Sequence, residues 1–568
     1  MKKMKKKYFV GLCLLVAMIA ISACSDSENS LPAPEVTGIC GVTEQKLGDI
    51  VAEDSGAVTW QAHFTAILKD AQQGNSEEDS LKATLAERRL AKADSILNVY
   101  IDSLGSNDNL HGEDGKEDKS FWNGYKYVNI RYHSIDVNGA TITLSELLII
   151  PFNSVFPNPH PNNIIVACHD MITSNNQKPT SFSTDEIKSF ANWASSKLIT
   201  ESNNENLVIV PDYQGYGATH GDSHSFLNST LTARQVVDGV RAAKIWFENY
   251  EKSLEKDFKT VVTGYGEGGS VAMAVHRYIE QNDLSDELNF AGSSCGGGLY
   301  DPQATLTHYI QNGKVYDLAT LGMIIKSLCE NSIMKQENAS PSHFFTDAFL
   351  KSGIMDWLSN KTYNNEEIQE KLLDYSWNNS NGFSMMRESE SDNKYLPYTS
   401  ANAYNENGKK RSWYKNLNNH PVYCEIENVF RPEVIEFLKS GRINLNVDNY
   451  KVLDKYNKAM AMYALDKDWL PKHPMVVVHS YQDEVFPIIN YENASKTFSG
   501  YRFKGFHYGA GAKYVYHANS EYELYFENVG AWMLFNVIEG DELQKYKHDN
   551  AIQYTATENE KYRIGTAG

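Results

Sequence analysis

Five residues, Gly264-Tyr265-Gly266-Glu267-Gly268, keep the spacing of the G-x-S-x-G turn, in which a serine held between glycines attacks a carbonyl. The position of that serine is Gly266, which has no hydroxyl to offer. The same letters match G-x-G-x-x-G through Gly264, Gly266 and Gly269, a spacing that lets backbone approach a dinucleotide pyrophosphate. That second chemistry needs an acid near the end of the next strand to hold the ribose. The stretch there reads Ala291-Gly292-Ser293-Ser294-Cys295, with no acid, and the glycines arrive only after several strands. The dinucleotide reading is therefore set aside, and no cofactor or metal is expected.

Other residues with chemical potential sit at the ends of apolar runs. Asp483 follows Met475-Val476-Val477-Val478-His479, at the carboxyl end of a buried strand, where open α/β sheets place their sites. His517 lies just before the last long helical pattern, with His507 as its rival. His169-Asp170 follows the apolar run Asn163–Cys168. Cys295 ends a strand near the glycine turn, as a displaced thiol nucleophile or an inert core cysteine. Ser270, four residues past Gly266, reads as a first-turn helix residue, and Asp212 and Arg241 read as structural.

Together with the turn Pro211-Asp212-Tyr213-Gln214-Gly215-Tyr216-Gly217, the stretch Val237–Ala243 and the pair Asp468-Trp469-Leu470-Pro471 and Ser480–Pro487, these residues resemble the α/β-hydrolase-fold secretory lipases and esterases, from about Tyr125 to about Val537. The resemblance implies Asp483 as the triad acid and His517 as the triad base, in the order Ser…Asp…His. It places the nucleophile at Gly266, the oxyanion loop at His169-Asp170, where a glycine is expected, and a second oxyanion donor at the backbone N–H of Glu267.

The elements that must position these residues follow an α/β pattern. Lys259–Thr263 is a short β-branched run and Ser270–Glu280 has apolar residues at helical spacing, so strand, turn and helix meet at Gly266. Asn138-Gly139 marks a hairpin within Tyr125–Pro151. Buried strands at Asn163–Cys168, Leu207–Val210, Asn289–Gly292, Met475–His479 and Tyr501–Phe506 alternate with helices at Thr184–Leu198, Val236–Tyr250, Asn490–Phe498 and Glu521–Val537. This is an α/β class chain with a mainly parallel sheet. The alternation stops across 301–465, read as a mostly helical cap with helices at Leu318–Cys329, Phe344–Leu358 and Pro432–Lys439. The boundaries are a leader over 1–23, a polar tether and helical segment (Leu81–Leu104) over 24–118, core over 119–300 and 466–545, and a polar tail over 546–568.

The 568 residues carry a formal charge of −19, which disfavours nucleic acid and anionic surfaces. Five lysines precede the apolar run Phe9–Ile21, a targeting pattern. It ends in Ile21-Ser22-Ala23-Cys24, which resembles a bacterial lipobox and implies cleavage before Cys24 and lipidation of its thiol. An ordinary signal peptide is the alternative. Ser25-Asp26-Ser27-Glu28 resembles a surface-export signal of some Gram-negative lipoproteins. The location expected is the bacterial cell envelope, at the outer membrane. The widely spaced cysteines form neither a disulfide framework nor a zinc pattern. Two functions follow: a lipid-anchored hydrolase-fold protein that has lost its chemistry and binds a small molecule, lipid, ester or partner, or a hydrolase that uses Asp483 and His517 with water or with Cys295.

Overall fold

Continuous apolar runs build the centre of the sheet, as expected for parallel strands buried on both faces. The computed structural model describes residues 39–43, 123–153, 161, 163–182, 206–250, 254, 257–377, 382–388, 395–397, 422–508, 517, 525 and 564–566. The chain divides into Met1–Glu35, which lies outside the described residues, and Val36–Gly568. The leader, Cys24, the helices expected at Leu81–Leu104 and Thr184–Leu198, and all of the last helix but Tyr525 also lie outside them.

The strands are β1 (Ile39–Thr43), β2 (Asn123–Ile135), β3 (Thr141–Asn153), β4 (Asn163–Cys168), β5 (Asn206–Pro211), β6 (Lys259–Tyr265), β7 (Phe290–Gly296), β8 (Lys314–Val315), β9 (Met385–Glu388), β10 (Tyr395–Pro397), β11 (Tyr423–Glu425), β12 (Met475–Ser480), β13 (Phe503–Tyr508) and β14 (Ile564–Thr566). One ten-stranded sheet runs β1-β2-β3-β5-β4-β6-β7-β12-β13-β14. From β5 to β13 neighbouring strands are parallel. The hairpin β2–β3 pairs antiparallel along thirteen residues of each strand. Gly139 takes a positive φ of 78° in its turn, while Asp136 Oδ1 accepts from the N–H groups of Asn138 and Ala140, both at 2.8 Å.

Helix α1 (Ser229–Tyr250) links β5 to β6, and α2 (Glu267–Gln281) links β6 to β7 and packs on α1. The order β5-β4-β6 reverses the direction of winding beside β4. Such a reversal opens a crevice at the carboxyl ends of the strands, here between Cys168 of β4 and Gly264 of β6, which face each other in register.

Between β7 and β12 the chain leaves the sheet. Helices such as Pro302–Asn312, Leu318–Cys329, Asn365–Trp377 and Tyr450–Ala461 fill this insertion. The helix expected over Phe344–Leu358 is broken into Asp347–Leu350 and Ile354–Asn360, because Gly353 sits between them at φ 90°. The insertion also holds an antiparallel sheet in the order β10-β9-β11-β8. Its hydrophobic core, around Leu321, Phe345, Phe349 and Leu372, extends to Val485 and Phe486 just after β12. Cys168, Cys295, Cys329 and Cys424 are buried free thiols.

Candidate active site

The glycine turn is built as a strained elbow. Gly266 has φ 60° and ψ −124° directly before the first residue of α2. For a residue with a side chain, such a conformation costs about 1–3 kcal/mol; glycine adopts it freely. The flanking glycines allow close approach: a Cβ at Gly264 would lie 2.2 Å from the carbonyl oxygen of Gly268, and one at Gly268 would lie 2.0 Å from that of Cys168.

Asp483 and His517 come together behind this elbow. His517 Nδ1–H donates to Asp483 Oδ2 at 2.8 Å, and both side chains are buried. Asp483 Oδ1 accepts from the N–H groups of Val485 (2.9 Å) and Phe486 (2.7 Å), which fixes the carboxylate. His517 is held further by Glu484 Oε2, which accepts from its N–H at 2.9 Å, and by Tyr265 Oη, which donates to its carbonyl at 2.8 Å. His507 lies elsewhere, on β13 against the rings of Tyr481 and Tyr491.

The far nitrogen of His517 faces Asp170. Its Nε2 lies 3.9 Å from Asp170 Oδ2. The other oxygen of that carboxylate, Oδ1, accepts from the backbone N–H of Met171 at 2.6 Å and of Glu267 at 3.1 Å. Two backbone donors converging on one oxygen, beside a nucleophile position, are the arrangement that stabilises a tetrahedral oxyanion. Here the anion is part of the chain. A Cβ placed on Gly266 would lie only 1.8 Å from the same Oδ1. Asp170 thus takes up both backbone donors and fills the space beside Gly266.

The charges follow from this packing. Burial pushes the Asp170 carboxyl up to about 6, against the pull of His517 and of its two backbone donors. Burial alone would push His517 down, but Asp483, then Asp170 and Glu484, outweigh it and hold the imidazole up at about 9. At neutral pH the ring is a cation between two carboxylates.

The remaining residues have structural partners. Ser270 Oγ accepts from Leu299 N–H at 2.7 Å and so ties α2 to the chain after β7. Cys295 is buried in β7, its thiol pushed up to about 12 by burial and directed at Ser293 Oγ. Asp212 accepts from Ser145 Oγ (2.5 Å), Thr180 N–H (2.9 Å) and Thr180 Oγ1 (2.6 Å). Arg241 pairs with Glu287 (2.5 and 2.8 Å) and Asp238 (3.3 Å). Several neighbours were not anticipated: Met171 as a backbone donor, Tyr265 and Glu484 as supports of His517, and a buried pair between Glu267 and His224 Nε2 at 2.6 Å. Of these, Tyr265 and Glu267 lie in the glycine turn and Glu484 lies in the Ser480–Pro487 stretch, but no spacing marks their contacts.

No protein-family model and no curated protein sequence matches the chain. Solved structures do. The rice cell wall degrading esterase LipA from Xanthomonas oryzae superposes with a TM-score of 0.51 at 17% identity, covering 74% of this chain and 92% of the esterase. The chain has the α/β-hydrolase fold. Lipase A of Candida antarctica in its closed state is also similar, with a TM-score of 0.45, 13% identity and coverage of 76% of this chain and 86% of the lipase. In this chain the elbow precedes α2, Asp483 follows β12, His517 lies beyond β13 and Asp170 follows β4.

Proposed function

We propose that this protein is a catalytically silent relative of esterases and lipases, lipid-anchored at Cys24 in a bacterial envelope, that binds a small ester, lipid or partner. The observation that carries the reading is the Asp170 carboxylate, bonded to the N–H groups of Met171 and Glu267 and set against Gly266. Three requirements of acyl transfer are affected at once. There is no hydroxyl at residue 266. The oxyanion position holds a fixed negative charge, which repels the developing alkoxide of a substrate. The base is already protonated at neutral pH, with His517 held at about 9. The last point also weighs against direct activation of water. The alternative nucleophile, Cys295, is a buried thiol held protonated by its surroundings, and a thiol in that state does not attack.

The test is turnover of short- and medium-chain chromogenic esters by the native chain, Gly266→Ser, Asp170→Gly and the double variant, each checked for fold. The native chain and both single variants are expected to be inert, because a serine alone meets Asp170 and a vacated hole alone has no nucleophile. The double variant is expected to gain ester hydrolysis. Ester turnover by the native chain that disappears in His517→Ala would overturn the reading.

A further inference from the structure

Away from the elbow, at the other end of α2, three side chains that ligate metals converge. We propose that His276, Glu280 and His473 form a site for a divalent transition metal of the zinc class, which ties α2 to the segment leading into β12. His276 and Glu280 are four residues apart on α2 and so share one helix face. His473 is 193 residues further along than Glu280. No spacing pattern connects all three, so the sequence alone does not mark them as a set.

The contacts on Glu280 carry the argument. Its Oε1 is approached by four nitrogens: Lys472 N (2.9 Å, shared with Oε2 at 3.0 Å), His473 N (2.7 Å), His473 Nδ1 (2.8 Å) and His276 Nε2 (3.0 Å). One carboxylate oxygen offers about two lone-pair sites. The His473 N–H fills one and the Lys472 N–H takes part of the other, so two imidazole nitrogens compete for what remains of the same atom. An ion between the three side chains resolves the crowding, because each neutral imidazole then directs a lone pair at the metal instead of a proton at the carboxylate. The three ligand atoms lie within 4.8 Å of one another. Tetrahedral zinc with bonds of about 2.0–2.2 Å sets its ligand atoms about 3.3 Å apart, so small shifts suffice.

The surroundings suit such an ion. His276 Nδ1 is 2.8 Å from Ser293 Oγ on β7. A metal-bound histidine commonly uses its other nitrogen in this way, which fixes the ring and its tautomer. Phe290 and Trp469 pack against His276, and Phe290 also packs against His473. His276 and Glu280 are buried while the His473 side chain is 31% exposed, which leaves a path for the ion and for water as fourth ligand. Two histidines, a glutamate and a water form a known zinc set. The 472–473 segment directly precedes β12, so the ion would join the two parts of the sheet that the insertion separates in sequence.

The test strips the full chain with a chelator and adds zinc ion alone, following heat of binding and thermal unfolding, with cobalt ion as a spectroscopic substitute. One ion per chain, a higher unfolding temperature and the visible absorption of tetrahedral cobalt are expected. His473→Ala, at a partly exposed position and with its fold checked by circular dichroism, should abolish the cobalt signal. Ser293→Ala, which touches no metal, should weaken binding by about 10–100-fold. Absence of zinc binding by the native chain, or binding of equal strength in His473→Ala and Ser293→Ala, would overturn the proposal.

Discussion

The imidazolium of His517 sits between Asp483 and Asp170, and its protonation is linked to stability. Its folded value of about 9 exceeds the ordinary histidine value of 6.5. A raised histidine stabilises fully below its unfolded value, and the stabilisation is lost as pH rises through the folded one. Stability should therefore fall between pH 6.5 and 9, with a slope approaching about 1.4 kcal/mol per pH unit. Lys361, pushed down by burial to about 8, adds an opposite slope above that pH, so the clean window is 6.5 to 8. Denaturant unfolding across it should show the decline in the native chain and not in His517→Gln; equal profiles would show that the ring carries no such charge. Asp483, at the end of an apolar run, and His517, just before the last helical pattern, were legible in the sequence as a pair, and their side chains meet. The position of Asp170 was read as well, but its role as acceptor was not, because nothing in a linear pattern reveals that a carboxylate folds back onto the N–H of its own successor and of a residue 97 positions away.

The glycines of the elbow set how closely α2 can approach β4. A Cβ at Gly268 meets carbonyl atoms of Cys168 and His169 at 2.0 and 2.6 Å, which are backbone and cannot rotate away. Gly268→Ala should lower stability by about 1–3 kcal/mol or more. Gly221→Ala is the control: its Cβ would meet nothing within 4 Å, so it should be neutral or slightly stabilising. Equal melting temperatures for the two variants would remove the close-approach argument. Element boundaries followed the sequence where runs were long and buried, as at β4, β6 and Leu318–Cys329. The strands β8 to β11 span two to four residues each, too short for an alternating pattern to show.

At the scale of the molecule, the alternation of strands and helices was enough to read a mainly parallel sheet with a late insertion, because periodicity reports burial directly. The strand order was not readable, since pairing of β7 with β12 brings together segments that the whole insertion separates. The proposed lipid anchor makes a molecular prediction of its own. Cys24→Ser should move the chain from the membrane fraction to the soluble one, and an unchanged distribution would exclude a lipid anchor at that thiol. No helix among the described residues is long and apolar enough to cross a membrane. The ends of the chain carry a different responsibility. The sheet begins at β1, which covers Asn129–Tyr132 of β2, and ends at β14, which covers Phe506–Tyr508 of β13. Removing either terminal segment would leave a row of unpaired N–H and C=O groups, a template on which another copy can add a strand. The two outermost strands thus cap parts of the sheet edges, and a chain shortened to its catalytic-looking centre is expected to associate edge to edge.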